Sequence, residues 1–528
     1  MSGSRPSERL IVGTGPAAVA SAMALRKRSV PFEVLDVAYD LEPERLETIE
    51  RLAKLDPDAW SPADRDFLFP PPVASARGVE KRLAFGSDFP YRMPGATKLS
   101  SELCKIEMSH GFGGFGNVWG AAVLPYAASD TTDWPVRRSD LEESFSEICR
   151  FVPISGEIDG LEERFPYYGC EIGQLPRTLQ SNFLLGELRR KERSLAADGI
   201  VFGRARLAVD STGGLTSCRR CGHCLEGCVY GSIFNPRTLW RQLESEGVCI
   251  HRGYYALEYR EEGGQVFLRC RDVKTGMERI FPTKRLLLGL GAVASTRLVA
   301  RSLKLYGQAI RLLDSQYFFF PWLSYKTHQA SLNEFTLAEV FVEILNKRIS
   351  SHYVHFQVYG LNQIFRDVIK GMLPPLLRWP SLMRQIENRF FLFQGFLPSQ
   401  QCGHLLMTLT RSMDDDDIRI VGVPNKEAVT AARRARAMIQ RRLAGVGIVP
   451  PGAPKMVPLG RSFHVGGSFP MGASDRVYSS DCLGRPAGSS RVHLLDASAF
   501  PSIPATTITF TIMANADRVI RGTLGLEN

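Results

Sequence analysis

The spacing of apolar residues changes along this chain, and the changes mark its elements. Arg9-Leu10-Ile11-Val12 is an apolar strand that runs into a glycine turn and then a helix, and Pro31 to Asp36 is a second strand. Residues 284 to 299 give a buried strand, a small-residue turn and a helix start. Between Leu303 and Val449 the texture differs. Leu337, Val340, Phe341, Ile344 and Leu345 fall on one helical face, whereas Val354, Phe356 and Val358 alternate with Tyr353, His355, Gln357 and Tyr359 as in a strand. Strands are also predicted at Phe390 to Phe396 and Leu405 to Leu409, and a basic helix at Lys426 to Leu443. The polar face around His355 either lines a pocket or is a solvated sheet face. Leu361, Ile364, Phe365, Val368, Ile369 and Met372, followed by Pro374 to Trp379, form an apolar stripe with basic neighbours, which rests on a membrane or partner or packs in a core. The polar, proline-containing stretch Leu41 to Thr97 receives no assignment.

At 528 residues the chain is long enough for two or more cores. Its net charge of +10, from 65 basic and 55 acidic residues, is spread without a long basic run or interleaved aromatics, which gives no case for nucleic acid. No run of about twenty apolar residues is present to span a bilayer. With the first strand beginning by Arg9, the expectation is a cytoplasmic protein without a signal peptide, peripheral to a membrane at most.

Gly13-x-Gly15-x-x-Ala18 is the tight form of a dinucleotide fingerprint, with Ala in place of the third glycine. Gly13, Gly15, Pro16 and Ala17 would bring backbone against a pyrophosphate whose charge meets the positive end of the following helix. Asp36, at the end of the second strand, stands where a carboxylate binds a ribose hydroxyl. Gly111 to Gly120 packs five glycines into ten residues and includes Gly113, Gly114, Asn117, Trp119 and Gly120, a density suited to backbone lying close to a flavin. Gly291, in the small-residue turn after the third strand, marks a return of the chain to the nucleotide sheet.

Ser462 to Gly472, Val492 to Pro501 and Pro504 to Ala516, together with the fingerprint, resemble the glucose-methanol-choline (GMC) oxidoreductase family, whose motifs occur here in the family's order. That resemblance implies an α/β protein with a discontinuous Rossmann-like FAD-binding domain, 8–125, 203–302 and 455–528, and an inserted α+β substrate domain, 126–202 and 303–454. It implies that Asp496 holds the ribityl chain and that Pro504 to Thr506, with Ala505 and Thr506 as cofactor contacts, lie near the isoalloxazine ring. His464 matches the catalytic histidine, a base suited to taking a hydroxyl proton as hydride leaves carbon. Thr507 stands where the family usually has His or Asn, and threonine cannot act as a base at neutral pH.

Cys218, Cys221, Cys224 and Cys228 have the spacing C-x2-C-x2-C-x3-C. Iron–sulfur clusters use such crowding, structural zinc more often takes two separated pairs, and disulfides are the third reading. The stretch also resembles the cysteine region of bacterial flavin-dependent sugar dehydrogenases of this family, with Val229 where a proline commonly follows the last cysteine. The expectation is an FAD-dependent dehydrogenase acting on a CH–OH group of a small-molecule alcohol, sugar or saccharide intermediate. Its electrons would pass through an iron–sulfur cluster to an acceptor protein or quinone instead of oxygen. The rivals are a flavin-dependent isomerase or reductase and a non-catalytic FAD-containing scaffold.

Overall fold

The computed structural model describes residues 6–70, 74–75, 78–79, 81–95, 97–329, 334–363, 365–366, 370, 378–412, 416–472 and 477–525. Its organising element is a five-stranded parallel sheet in the order Val492–Leu494, Leu286–Leu288, Leu10–Val12, Glu33–Asp36 and Ile250–Arg252. Leu10, Ile11, Val12 and Leu286 to Leu288 are buried on both sides, which is why these strands are continuous apolar runs without alternation. Helix Pro16–Lys27 packs against the C-terminal helix Thr509–Gly525, so the two ends of the chain close over one another.

A larger antiparallel sheet runs Gly447–Ile448, Tyr317–Ser324, Phe390–Phe396, Val354–Gly360, Val340–Ile344 and Ile200–Arg204. Period-two alternation gives it two different faces. Phe318, Phe320, Val354, Phe356, Val358 and Phe393 pack against Ala428, Ala432, Ala435 and Ile439 of helix Lys426–Leu443. The opposite face carries Tyr317, Gln357, Tyr359, Gln394 and Phe396 into a cavity. The expected helical face at Leu337 to Leu345 is therefore corrected to the strand Val340–Ile344, buried at every position. A strand covered on both faces has no polar alternation, so an apolar run of this length reads equally well as helix.

A third sheet joins Val465–Gly466, Ala309–Asp314, His404–Arg411, Asp416–Val423 and Lys98–Glu102. Lys98–Glu102, from the N-terminal segment, and Val465–Gly466, from the C-terminal one, thus pair with strands of the 303–454 insertion. Leu41 to Thr97, unassigned from sequence, contains helices Pro43–Leu52 and Pro62–Leu68; Leu52, Trp60, Phe69, Phe85 and Phe89 build a small core with Val229 and Tyr230. Cys149 and Cys170, with Cα atoms 5.3 Å apart, form a disulfide that the sequence analysis did not anticipate. Most of the apolar stripe after Leu361, including Ile364, Val368, Ile369 and Met372, lies outside the described residues; Leu361 is buried and Phe365 packs on the main core. Among the described residues no helix is long and apolar enough to cross a membrane.

Candidate active site

One cavity of about 320 Å³ runs from the fingerprint turn to His464. At its first end, Gly13 has φ +104°, and a Cβ there would meet the Gly289 carbonyl oxygen at 2.5 Å. Gly15 is different. Its φ is −70°, and the nearest atom to an added Cβ is 3.9 Å away, so nothing in the protein itself demands glycine there. Gly15 also caps helix Pro16–Lys27 without a side-chain hydrogen bond, which leaves the first amides of the helix facing the cavity wall formed by Gly15, Pro16 and Ala17.

Thr14 ties this turn together. Its hydroxyl donates to Asp36 Oδ2 at 2.6 Å and accepts from the Gly113 amide at 3.0 Å, while its carbonyl accepts from Trp240 Nε1 at 2.7 Å. Asp36 Oδ1 accepts from the Val37 amide at 2.7 Å, and burial lifts the carboxyl to about 6 against those bonds. Asp36 lines the cavity with Gly114, Trp119, Gly120 and Gly291. Gly113 and Asn117 shape the loop from behind. Asn117 Nδ2 donates to the carbonyls of Phe112 and Gly114 at 2.9 and 2.8 Å.

Asp496 is buried, and all its visible bonds are internal. Oδ2 accepts from the Gly291 amide and the Ser295 hydroxyl at 2.9 and 2.6 Å, and Oδ1 accepts from Ser498 through its amide and hydroxyl. It anchors the start of helix Ala292–Ser302 and reaches the cavity wall. FAD, the cofactor the resemblance implies, fits this site on three observations: the glycine at 15 that the protein's own packing does not require, the uncapped helix start, and a carboxylate at each side of the wall.

At the far end, His464 lines the cavity and stacks on Phe396, with centroids 5.1 Å apart. Neither ring nitrogen has a hydrogen-bond partner among the described residues, and Nδ1 is buried. Burial, with a smaller contribution from the charge of His355, holds the imidazole down at about 3, so it is neutral near pH 7 and its ring nitrogens are unprotonated except for the one N–H of the tautomer. Thr507 also lines the cavity. Its oxygen accepts the Leu124 amide at 2.8 Å, which leaves its own O–H free to donate inward. Ala505 and Thr506 are buried and do not line the cavity.

The polar face of the central strand divides. Gln357 and Tyr359 reach the cavity, and Tyr359 donates to Gln357 at 2.7 Å. His355 neither lines it nor meets solvent: it is fully buried, with Nδ1 2.5 Å from Glu343. Sequence reasoning missed Thr14, Asp314, Ser462 and Arg82. Thr14 carried one local signal, as the residue between the two fingerprint glycines.

The four cysteines line one further cavity with Arg219, Arg220 and Phe335. Burial pushes Cys221 up to about 12 and raises Cys218 and Cys224, and neighbouring thiols add to each of these rises through like charge, Cys228 to all three. The soft donor set suits a metal–sulfur centre. Among the described residues, however, no group of three or more His, Cys, Asp or Glu side chains is arranged to hold a metal ion. Ten residues beyond Cys224, the segment touches the flavin-side loop: Trp119 Nε1 donates to the Phe234 carbonyl at 3.0 Å, and Asn235 Nδ2 to Asn117 at 3.0 Å.

Comparison with known proteins gives two findings. Residues 426–516 match the family model for GMC oxidoreductase. Pyridoxine 4-oxidase from Mesorbium loti has a similar fold, with a TM-score of 0.61, 15% identity, and coverage of 98% of this chain and 99% of that one. No curated protein matches the sequence.

Proposed function

We propose that this chain is a GMC-type, FAD-dependent oxidoreductase acting on alcohol groups, that its donor is a sugar or saccharide intermediate and that its acceptor is not oxygen; the family-model match over residues 426–516 and the similar fold of pyridoxine 4-oxidase support the reading. The observation that carries the reading is the shared cavity, in which the neutral imidazole of His464, without a hydrogen-bond partner among the described residues, faces the same space as Gly13, Gly15 and Asp36. When bound, FAD supplies the acceptor for the hydride leaving carbon. His464 takes the hydroxyl proton from the same substrate carbon's oxygen, and Thr507 orients that oxygen through its free O–H. Phe115, Phe396 and Phe463 line the cavity around His464 and make that part of its wall apolar.

An iron–sulfur cluster held by Cys218, Cys221, Cys224 and Cys228 would supply one-electron chemistry towards an acceptor protein or quinone. Support for it is the common cavity of the four thiols and the hydrogen bonds that join Phe234 and Asn235 to the flavin-side loop. A peripheral membrane position would suit a quinone acceptor.

The decisive experiment is an anaerobic screen of sugars and simple alcohols for bleaching of the flavin band. No bleaching by any alcohol, in protein that carries flavin, overturns the reading. For the cluster, protein purified without oxygen is assayed for iron, zinc and acid-labile sulfide, and zinc without iron ends the relay. Thr507 in place of a second base favours one rival, a flavin-dependent isomerase or reductase, and steady turnover with no external electron acceptor would establish it.

A further inference from the structure

The far end of the cavity is positively charged in a way that neutral alcohol oxidation does not require. Asp36 and Asp496 are committed to bonds within the protein at the flavin side, and Glu107 is paired with Lys81 at 3.6 Å. Arg82 and Arg461 also line the cavity, and Arg82 has no ion-pair partner among the described residues. The two guanidiniums sit by the same tyrosines. Burial raises the hydroxyls of Tyr91 and Tyr317, and both arginines pull against that rise at both rings. Tyr317 packs on Phe396 with centroids 5.5 Å apart, and Phe396 in turn stacks on His464, so the cationic end is one aromatic ring removed from the base.

The half-buried Arg82 guanidinium, with no carboxylate partner among the described residues, carries a desolvation cost that an incoming anion recovers, and the planar fork of an arginine matches carboxylate or phosphate oxygens. Tyrosine hydroxyls supply further donors to the same anion.

Resting on the alcohol oxidation proposed above, we propose that the substrate carries an anionic group, carboxylate or phosphate, and that Arg82 and Arg461 bind it while His464 meets the alcohol. The negative charge lies at the end away from the reacting carbon, so this pair sets which alcohols are accepted and leaves proton removal to His464.

Two measurements on flavin-loaded protein test this. In the first, inorganic phosphate and acetate are titrated calorimetrically into wild type, R82Q and R461Q. Wild type is expected to bind at least one of the two, and the arm that responds identifies the preferred source of charge. Each substitution should weaken that binding roughly tenfold to hundredfold, as expected for loss of a charge-assisted contact. R82K should retain part of the binding, because a cation remains while the fork is lost. In the second, flavin bleaching is compared for galactose against galacturonate and for glucose against glucose 6-phosphate. The charged member should be favoured, with the preference removed in R82Q through KM more than kcat. Flat titrations with both anions in wild type, or binding equally strong in both variants, overturn the proposal. Protein that bleaches with neutral sugars alone and binds neither anion keeps the oxidation reading and loses this one. Protein that binds anions through Arg82 but bleaches with no alcohol does the reverse.

Discussion

Ser462 donates its hydroxyl to Asp314 at 2.5 Å, and the same oxygen accepts the backbone amide of His464 at 3.0 Å. Asp314 is fully buried, and its other oxygen accepts the Gly460 amide at 2.9 Å. One carboxylate therefore holds both ends of the turn that presents the imidazole, where Phe463 has a φ of +59°. Asp314→Asn would set an amide donor against one of those two donors. A misplacement of about 1 Å at a reacting group costs on the order of a hundredfold in rate. Asp314→Asn is thus expected to lower kcat by roughly tenfold to a hundredfold while the flavin content stays normal. Visible absorbance and steady-state kinetics together check this, and a kcat close to wild type would remove Asp314 from its positioning role.

The glycine pair separates folding from nucleotide binding. At Gly13 an added Cβ strikes the Gly289 backbone at 2.5 Å from a φ that other residues rarely adopt, so Gly13→Ala should lower Tm and abolish flavin uptake together. At Gly15 the protein leaves room, so Gly15→Ala should fold with nearly wild-type Tm and still bind FAD poorly, because only a ligand meets the new methyl. Equal flavin content in Gly15→Ala and wild type would show that the pyrophosphate does not lie on this turn.

Protonation of His464 gives a pH signature. The imidazole titrates near 6.5 in the unfolded chain and at about 3 in the fold. Between those values the unfolded state binds more protons, so this group's contribution to stability is complete above pH 6.5 and is lost as the pH falls towards 3. His110 and His493, lowered by burial to about 3 and about 4, act in the same sense. The urea midpoint of wild type should therefore fall more steeply below pH 6.5 than that of His464→Gln. The acid limb of kcat/KM should also lie well below 6.5, and a limb at the ordinary imidazole value would contradict a neutral, desolvated base.

Thr507 is expected to serve two partners at once. Thr507→Val removes the acceptor for the Leu124 amide, leaving a buried donor unpaired at a cost of about 1–3 kcal/mol, and also removes the O–H that faces the cavity. Thr507→Ser keeps both. Unfolding curves should show the loss in the valine variant only, accompanied by a fall of roughly tenfold in kcat/KM. If the serine variant is as impaired as the valine one, the hydroxyl is not what matters at this position.

Local spacing carried much of the parallel-sheet side and the helix behind the antiparallel sheet. The strand at Leu10–Val12, the turn at Gly13 and Gly15, Asp36, the turn at Gly291 and the helix Lys426–Leu443 all follow from short-range patterns, because each expresses a backbone geometry or periodicity contained within a few residues. His464 was legible in the same way, as part of a motif. Val340–Ile344 was not. It is covered on both faces by elements distant in the chain, and burial on both faces erases the alternation that distinguishes strand from helix.

The far end of the cavity belongs to the tertiary structure. Arg82, Tyr317, Phe396 and Arg461 come from four separate segments, and no spacing in the chain announces that they meet. Asp314 shows the same limit, since its value lies in reaching Ser462 and Gly460 some 146 to 148 positions away. The sequence by itself determined the parallel sheet with its glycine turn and the place of the proposed histidine base, because those depend on backbone paths set by neighbouring residues. Only the folded chain decided what surrounds that base, because a cavity wall is a sum of contacts between residues that covalent order leaves unrelated.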